Sequence, residues 1–348
     1  MRCPTLKELP PPPPGKSGWP WSEETPQLLD ATPDGIPWPR ISIVTPSLNQ
    51  GHFIEEAIRS VLLQGYPDIE YILIDGGSSD DTVKTIRKYE RWLAFWVSEP
   101  DRGQSHAINK GFSKATGEIY AYLNSDDLYE FRALKNVSNA ISELKLIGSF
   151  LLAGRCSNFD EAGFLRTDDP LWPERLADFL TSPSLPQPAT FWSKQLFVEL
   201  KGFDEGLHFF FDSEFFLRIG LHGINPILVP CTLARFRDHS LSKTRKIRNV
   251  FFEESIRMIQ KYGTCLGLSE KEEKERVREA DKSRRYLQVL IDWKDKGRFA
   301  AMLELLGILT RYPELIAQKD ILGLARRLLL MKMKDVVEFE TIFKMRLD

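Results

Sequence analysis

Residues 41–75 read ISIVTPSLNQGHFIEEAIRSVLLQGYPDIEYILID, and this stretch decides the fold. Two short apolar runs, 41–45 and 69–74, predict β-strands because turn-forming residues bound each of them. Between them, apolar residues recur with helical spacing over 53–64, and a glycine and a proline end the pattern. The stretch therefore predicts a βαβ unit, whose two strands lie parallel in one sheet.

The same alternation continues along the chain. Beyond the first unit we predict a helix over 80–91, a strand over 94–98, a helix around 107–112, a strand over 118–123, strand segments near 149–155, 188–192 and 226–235, and a helix over 212–222. Strands separated by single helices are typical of parallel sheets. The predicted fold class is α/β, with a Rossmann-like, mostly parallel mixed sheet flanked by helices and a helical C-terminal extension.

Composition divides the chain into three segments. Residues 1–39 hold eleven of the 22 prolines and three tryptophans, which predicts an N-terminal strap that the tryptophans pin to the body. A proline-rich docking ligand is the alternative interpretation of this segment. Residues 40–240 form the α/β domain. Residues 241–348 form a helical region of net charge +7 behind a body of net charge −9, which suggests an anionic surface or partner for the tail.

Several classes of protein lack their signature here. A net charge of −2 excludes a uniformly basic nucleic-acid coat, and the four scattered cysteines suggest neither a disulfide framework nor a zinc site. The glycine fingerprint of dinucleotide oxidoreductases, the phosphate loop of ATPases, and the serine hydrolase and zinc protease motifs are absent. No apolar run approaches a signal peptide or a membrane span, so we expect a cytoplasmic protein.

Polar loops follow each of the first four predicted strands. They are 45–49, 75–78, 99–104 and 124–127. Each has a plain alternative: Asp75 as the first residue of an Asx-turn, or Asp126 and Asp127 as the cap of a following helix. Because the carboxyl ends of parallel strands open on one side of a sheet, four polar loops there predict a ligand site.

The adjacent carboxylates of Asp126 and Asp127 suit a hard divalent cation, Mg²⁺ or Mn²⁺. A cation held in this way neutralises the charge of a leaving diphosphate. Asp75, on the neighbouring strand, is placed to accept a hydrogen bond from a base or a ribose. The residues alone therefore predict a site for a nucleotide and a metal.

Five motifs resemble the family 2 glycosyltransferases in order and spacing over residues 40–240. They are ISIVTPSLN at 41–49, LIDGGSSDDT at 73–82, AINKG at 107–111, ATGE at 115–118 and YLNSDDL at 122–128. The resemblance implies the GT-A fold, a nucleotide-diphosphate sugar donor, a divalent cation and inversion at the anomeric carbon. It implies a glycan or lipid-linked acceptor, in the synthesis of a cell-surface polysaccharide or glycolipid.

The resemblance also assigns nucleotide and metal residues by position. Thr45 and Asp75 would line the base and ribose pocket, and Arg102 would lie near the nucleotide. Asp126 would contact ribose and metal, and Asp127 would contact the metal. Many members have Asp where this chain has Asn124, so metal binding depends on the two aspartates that follow.

The resemblance places the chemistry of the acceptor on Asp212. This residue matches the family's general base, with Glu214 as the alternative; a plain helix-capping role is the competing interpretation. His239 matches a late histidine that reaches metal or diphosphate, although a lone histidine is as often a surface or core residue. A non-catalytic nucleotide-sugar-binding or scaffold protein on the same fold is the alternative function, and the intact acidic residues disfavour it.

Residues 319–334 combine five Lys and Arg, one acidic residue and several leucines and methionines. Such a basic amphipathic stretch can bind the inner face of a membrane peripherally, or form the solvated face of a packed helix. No nucleic-acid partner is expected.

Overall fold

The computed structural model describes residues 1–32, 34–144, 146, 148–181, 185–239 and 248–317. The chain divides into two compact units, Met1–Ser242 and Lys243–Asp348. The proline-rich segment therefore belongs to the same compact unit as the α/β domain.

A single mixed sheet forms the centre of the first unit. Its strands are β1 Ile41–Ser47, β2 Ile69–Asp75, β3 Phe95–Ser98, β4 Ile119–Tyr122, β5 Leu128–Tyr129, β6 Leu151–Asp160, β7 Gly163–Asp168, β8 Thr190–Ser193 and β9 Ile227–Arg237. Their order in space is β3-β2-β1-β4-β8-β6-β9-β5, with β7 paired to β6. The first four strands are parallel, whereas β8 pairs antiparallel with both neighbours.

Helices cover the sheet as the alternation predicts. In the first unit they are α1 Ile54–Leu62, α2 Thr82–Tyr89, α3 Gln104–Phe112, α4 Ala133–Glu143, α5 Lys194–Glu199 and α6 Phe211–Leu221. The predicted α/β fold with a mixed sheet flanked by helices is confirmed. The hairpin strand β7, which follows β6 directly, was not predicted from the sequence.

The strand register brings the ends of the first three strands into line. Ser47 lies opposite Asp75, and Asp75 lies opposite Ser98. On the other side of β1, the last residue of β4, Tyr122, lies opposite Val44, so β4 ends three residues before the end of β1. The loops that follow these four strands therefore open at one edge of the sheet, as expected for parallel strands.

Aromatic packing fixes α6 against the sheet. The ring of Phe211 lies 6.0 Å from Tyr122 on β4, and Phe215 lies 5.4 Å from Trp192 on β8. Phe203 packs against both Phe211 and Phe215. Because such rings bury large apolar areas, the first turn of α6 is held beside the end of β4.

Residues 1–39 lie along the sheet and α1. The side chains of Trp21 and Trp38 are buried, and Trp19 donates its indole N–H to the Tyr129 carbonyl. At the start of the chain, the Ile69 N–H donates to the Met1 carbonyl, beside the edge of β2. The segment thus has the contacts expected of a strap, with both apolar burial and backbone hydrogen bonds.

The second unit is helical over the residues that the structure describes. Its helices are α7 Arg248–Tyr262, α8 Glu270–Lys296 and α9 Arg298–Arg311. The N-terminus of α8 begins with a capping box between Ser269 and Glu272. Trp293, Leu305 and Ile308 contribute to its apolar core. In the described part of the chain, no helix is long and apolar enough to cross a membrane. The stretch 319–334 lies outside the described residues.

Candidate active site

The loops after β1 and β2 are joined by hydrogen bonds at the sheet edge. The Asn49 N–H donates to Ser78 Oγ at 2.7 Å, and Asn49 Oδ1 accepts from the Ser79 N–H at 2.9 Å. Asn49 has a left-handed backbone conformation, φ 53°, which Asn tolerates better than most residues. One residue therefore locks two of the four predicted site loops together.

Asp75 is fully buried and directed at its own loop. Its carboxylate accepts hydrogen bonds from the Gly77 N–H at 3.2 Å and the Ser78 N–H at 2.9 Å, and from the hydroxyls of Ser78 and Ser98. This is the Asx-turn arrangement that the sequence leaves open as the plain alternative. The Asp75 carboxylate thus holds the loop after β2 in place. To accept a hydrogen bond from a ribose, it would have to give up some of these hydrogen bonds.

Thr45 also lies inside the protein. Its hydroxyl accepts a hydrogen bond from the Tyr71 hydroxyl at 3.1 Å, and neither side chain is exposed. Burial raises the pKa of Tyr71, which keeps that phenol protonated and available as the donor. The structure thus places the Thr45 side chain between β1 and β2, beneath the loop that follows β1.

Arg102 projects from the loop before α3 and is 71% exposed. It forms an ion pair with Glu205 at 2.5 Å, and Glu205 also accepts from Asn109 at 3.1 Å. Partial burial raises the pKa of Glu205, but the hydrogen bonds from Asn109 and Arg102 outweigh this and hold it below its usual value. The guanidinium is therefore directed across the opening toward the segment that precedes α6.

Asp126 and Asp127 lie in the loop between β4 and β5. Because β5 follows at once, the interpretation of this pair as the cap of a helix is wrong. Asp127 is 1% exposed, with one oxygen accepting from the Arg237 N–H at 3.0 Å and the other from Asn124 Nδ2 at 3.1 Å. Burial, and next the charge of Asp126, raise the pKa of Asp127 well above its usual value.

The Asp126 side chain is more accessible and faces His239. Its Oδ2 lies 3.0 Å from His239 Nε2, and the two side chains are 19% and 4% exposed. The His239 ring packs at a tilt against Phe53, the residue that precedes α1, with 4.4 Å between the ring centres. The fold therefore brings together two residues that are 113 positions apart in the sequence.

The Asp126–His239 pair fits a divalent cation. Two adjacent ligands of an octahedral ion at about 2.1 Å are about 3.0 Å apart, which is the separation of these two atoms. The described residues contain no cluster of three or more His, Cys, Asp or Glu that could hold a metal. A Mg²⁺ or Mn²⁺ ion here would thus have two protein ligands, with phosphate oxygens and water completing the shell, as is usual for these ions.

Asn124, where many members of the family have Asp, is the centre of a hydrogen-bond network. Its amide donates to Asp127 and to Gln187 Oε1 at 3.3 Å, and its oxygen accepts from Gln104 at 2.6 Å. Gln187 in turn donates to the Tyr122 carbonyl at 2.9 Å. Sequence reasoning missed this network because its three amide residues are 20 to 83 residues apart and carry no recognisable motif.

Asp212 lies in the first turn of α6, where Phe210 holds the N-cap position. Its Oδ1 accepts from the Ser213 N–H at 2.7 Å, and the side chain is half-buried. Burial raises the pKa of Tyr122, and the charges of Asp212 and Asp127 raise it further. The neighbouring Phe211, whose ring lies 6.0 Å from that of Tyr122, holds this turn of α6 beside β4.

Glu214 has a different environment. It is 1% exposed and forms an ion pair with Arg218, one helical turn later, at 2.8 Å. Arg218 also donates to the carbonyls of Leu200 and Gly202. Glu214 therefore anchors α6 to the preceding loop, a role that the Glu-x-x-x-Arg spacing could have indicated.

Comparison with known proteins identifies the family of this chain. The sequence profile of glycosyl transferase family 2 matches residues 42–192. An uncharacterized glycosyltransferase of Mycobacterium tuberculosis is 31% identical over 215 residues, which cover 61% of this chain and 80% of that protein. The GalNAc(5)-diNAcBac-PP-undecaprenol beta-1,3-glucosyltransferase of Campylobacter jejuni is 29% identical over 30% of this chain and 35% of its own length.

Solved structures confirm the GT-A architecture. Residues 1–349 of TarS from S. aureus, in complex with UDP-GlcNAc, superpose with a TM-score of 0.53. The match covers 77% of this chain and 81% of that one, at 16% identity. The same protein without the nucleotide sugar gives a TM-score of 0.52 at 18% identity, covering 79% and 81% of the two chains. By profile, sequence and fold, the chain belongs to glycosyltransferase family 2 and is a transferase with the GT-A fold.

Proposed function

We propose that the protein transfers a sugar from a nucleotide-diphosphate sugar to an acceptor hydroxyl, with inversion at the anomeric carbon. The observation that carries the proposal is the meeting of the Asp126–His239 pair and Asp212 around the end of β4. Asp126 lies 3.0 Å from His239, and Asp212 directly follows Phe211, whose ring lies 6.0 Å from that of Tyr122 on β4. One group of residues is thus suited to a diphosphate and the other to an acceptor.

The donor would bind at the edge where the four loops meet. Gly76 lets the loops after β2 and β3 approach, because a Cβ there would lie 2.6 Å from Asp101 Oδ2. Asp126 and His239 would hold a divalent cation against the diphosphate. That cation would neutralise the negative charge on the leaving group. The neutral amide network around Asn124 adds no further charge to this region.

Asp212 would act as the general base. As the acceptor oxygen forms its bond to the anomeric carbon, the bond from that carbon to the diphosphate oxygen breaks. The acceptor proton passes to the Asp212 carboxylate. Arg102, on the exposed side, would contribute positive charge near the nucleotide.

We further propose that the acceptor is a glycan or a lipid-linked glycan of the cell surface, and that the protein acts in the cytoplasm. Support comes from the Campylobacter jejuni relative, whose name identifies an undecaprenol-linked acceptor, although the match spans a third of that protein. TarS supports a nucleotide-sugar donor, since it binds UDP-GlcNAc on the same fold. Peripheral membrane contact through 319–334 stays part of this proposal.

Thermal unfolding with UDP, GDP and dTDP, each with Mn²⁺ or with EDTA, tests the proposal. We expect one nucleotide to raise the midpoint only when Mn²⁺ is present, since binding to the folded state stabilises it. A panel of nucleotide sugars, scored for release of the nucleotide diphosphate, then identifies the donor. Equal stabilisation in Mn²⁺ and in EDTA would contradict the metal site. No stabilisation by any nucleotide would contradict the proposed donor class.

A further inference from the structure

Arg237 contacts both acidic residues, Asp126 and Asp127, of the loop between β4 and β5. It is the last residue of β9, two residues before His239. Its backbone N–H donates to Asp127 Oδ1 at 3.0 Å, and its Nε donates to the carbonyl oxygen of Asp126 at 3.0 Å. Neither bond uses the Asp126 carboxylate, which is left to face His239. Arg237 thus holds the loop between β4 and β5 without engaging the Asp126 carboxylate, the proposed metal ligand.

The guanidinium is itself anchored on α1. Its NH2 group lies 2.8 Å from Glu56 Oε2, and the two side chains are only 15% and 17% exposed. An ion pair this far from solvent is screened little by salt. The NH2 group of Arg237 is therefore held by α1, while its backbone N–H and Nε hold the loop between β4 and β5.

Two aromatic rings enclose the same guanidinium. Its central carbon lies 5.1 Å from the ring centre of Phe53 and 4.5 Å from that of Phe159, distances typical of cation–π contacts. Phe53 also packs at a tilt against His239. The ring of Phe53 therefore contacts both the guanidinium and the second predicted metal ligand.

We propose that Arg237 is a positioning residue that sets the geometry of the Asp126–His239 pair for the cation. This inference rests on the proposed function. Arg237 couples the loop of Asp126, the strand that leads to His239 and the helix that carries Glu56. Groups that orient metal ligands without touching the metal commonly change its affinity by about 10- to 100-fold. Lysine cannot replace it, because the guanidinium bonds the Asp126 carbonyl and Glu56 through two different nitrogens, whereas lysine has a single ammonium nitrogen.

The strand contains a matched control. Arg235 lies two residues earlier, on the same face of β9, and is paired with Glu130 at 2.7 and 2.8 Å. It has the same side chain in the same kind of ion pair, but the structure gives it no contact with Asp126 or Asp127. If Mn²⁺ affinity falls in the Arg237 variants but not in the Arg235 variant, the loss is due to the contacts of Arg237 with the loop between β4 and β5.

The test is Mn²⁺ binding to the full-length protein, measured by electron paramagnetic resonance with no nucleotide present. We expect Arg237→Gln and Arg237→Lys to weaken Mn²⁺ affinity about tenfold or more, and Arg235→Gln to leave it within about twofold. Glu56→Gln should weaken affinity in the same direction by a smaller factor. Thermal unfolding shows whether Arg237→Gln is destabilised more than Arg235→Gln. If Arg237→Gln does not fold, Glu56→Gln decides the question.

The outcomes separate this inference from the function on which it rests. Wild-type binding that His239→Ala removes and Arg237→Gln leaves unchanged would overturn the inference alone. Equal losses in Arg237→Gln and Arg235→Gln would also overturn it, because they would indicate general damage to β9. Wild-type protein that binds no Mn²⁺ at millimolar concentration would overturn the metal site and this inference with it, whereas the donor is tested separately by the nucleotide panel. In a protein that already carries Glu56→Gln, Arg237→Gln should still cause most of its own loss of Mn²⁺ affinity. In a protein that already carries Arg237→Gln, adding Glu56→Gln should change the affinity little.

Discussion

Asp212 and Glu214 lie two residues apart in one helical turn but have different environments. Asp212 is half-buried beside Tyr122, whereas Glu214 is enclosed and neutralised by Arg218. A base must be able to meet the acceptor and take its proton. A carboxylate bound in a buried ion pair meets neither requirement. At the scale of single residues, Asp212 is therefore the residue that we propose for the proton transfer.

We predict that Asp212→Asn folds normally and binds the donor normally but loses turnover by about 10² or more, the usual effect of removing an acid–base catalyst. Asparagine retains the oxygen that accepts from Ser213, so the first turn of α6 should be preserved. The measurement is kcat for transfer, alongside the donor affinity and the melting temperature. Turnover within a few fold of wild type would rule out Asp212 as the base.

Glu214→Gln is the matched control, and it should behave in the opposite way. It leaves the Arg218 guanidinium buried without its charged partner, which is strongly destabilising in buried pairs. We expect a lower melting temperature, with turnover per folded molecule largely retained. A selective loss of turnover in Glu214→Gln would transfer the role of base to that residue.

At the scale of elements, α1 has three functions in the first unit. Phe53, which precedes its first turn, packs on His239, and Glu56 anchors Arg237. One turn later, Arg59 faces the strap on residues 1–39. Its guanidinium donates to the carbonyls of Pro10, Pro20 and Trp21 at 2.8 to 3.1 Å, with no exposed surface. The same helix thus connects the metal site to the N-terminal segment.

We predict that Arg59→Met destabilises the first unit by roughly 3 kcal/mol, because it leaves buried carbonyls without donors. Deletion of residues 1–39 should lower the melting temperature further, since it exposes the surfaces that cover Trp21 and Trp38. Arg87→Met is the control, because Arg87 is exposed on α2. Equal melting temperatures for Arg59→Met, Arg87→Met and wild type would show that the strap is not fixed by Arg59.

At the scale of the whole molecule, the sequence predicts what depends on local pattern. The alternation of strand and helix places the first four strands, and the rule for parallel strands places their loops at one edge. The direction of a side chain at that edge is not a local property. Asp75 could face a ligand or its own loop, and only the packed structure shows that it accepts four hydrogen bonds from nearby residues. Arg237 bonds residues 110 and 111 positions away, so no spacing rule reveals it.

The division into two compact units leads to the final prediction. All eight residues proposed for the site lie within Met1–Ser242: Thr45, Asp75, Arg102, Asp126, Asp127, Asp212, Glu214 and His239. A protein that ends after Ile247 should therefore retain Mn²⁺ affinity within about threefold of the full chain, because every proposed ligand and its supporting contacts remain. Electron paramagnetic resonance measures the affinity, and circular dichroism shows whether the shortened chain is folded. A folded protein that no longer binds Mn²⁺ would show that residues 248–348 are needed for the metal site. Retained Mn²⁺ binding with lost transfer would assign residues 248–348 to binding of the acceptor. The basic segment 319–334 suits that role if the acceptor is carried on an anionic surface.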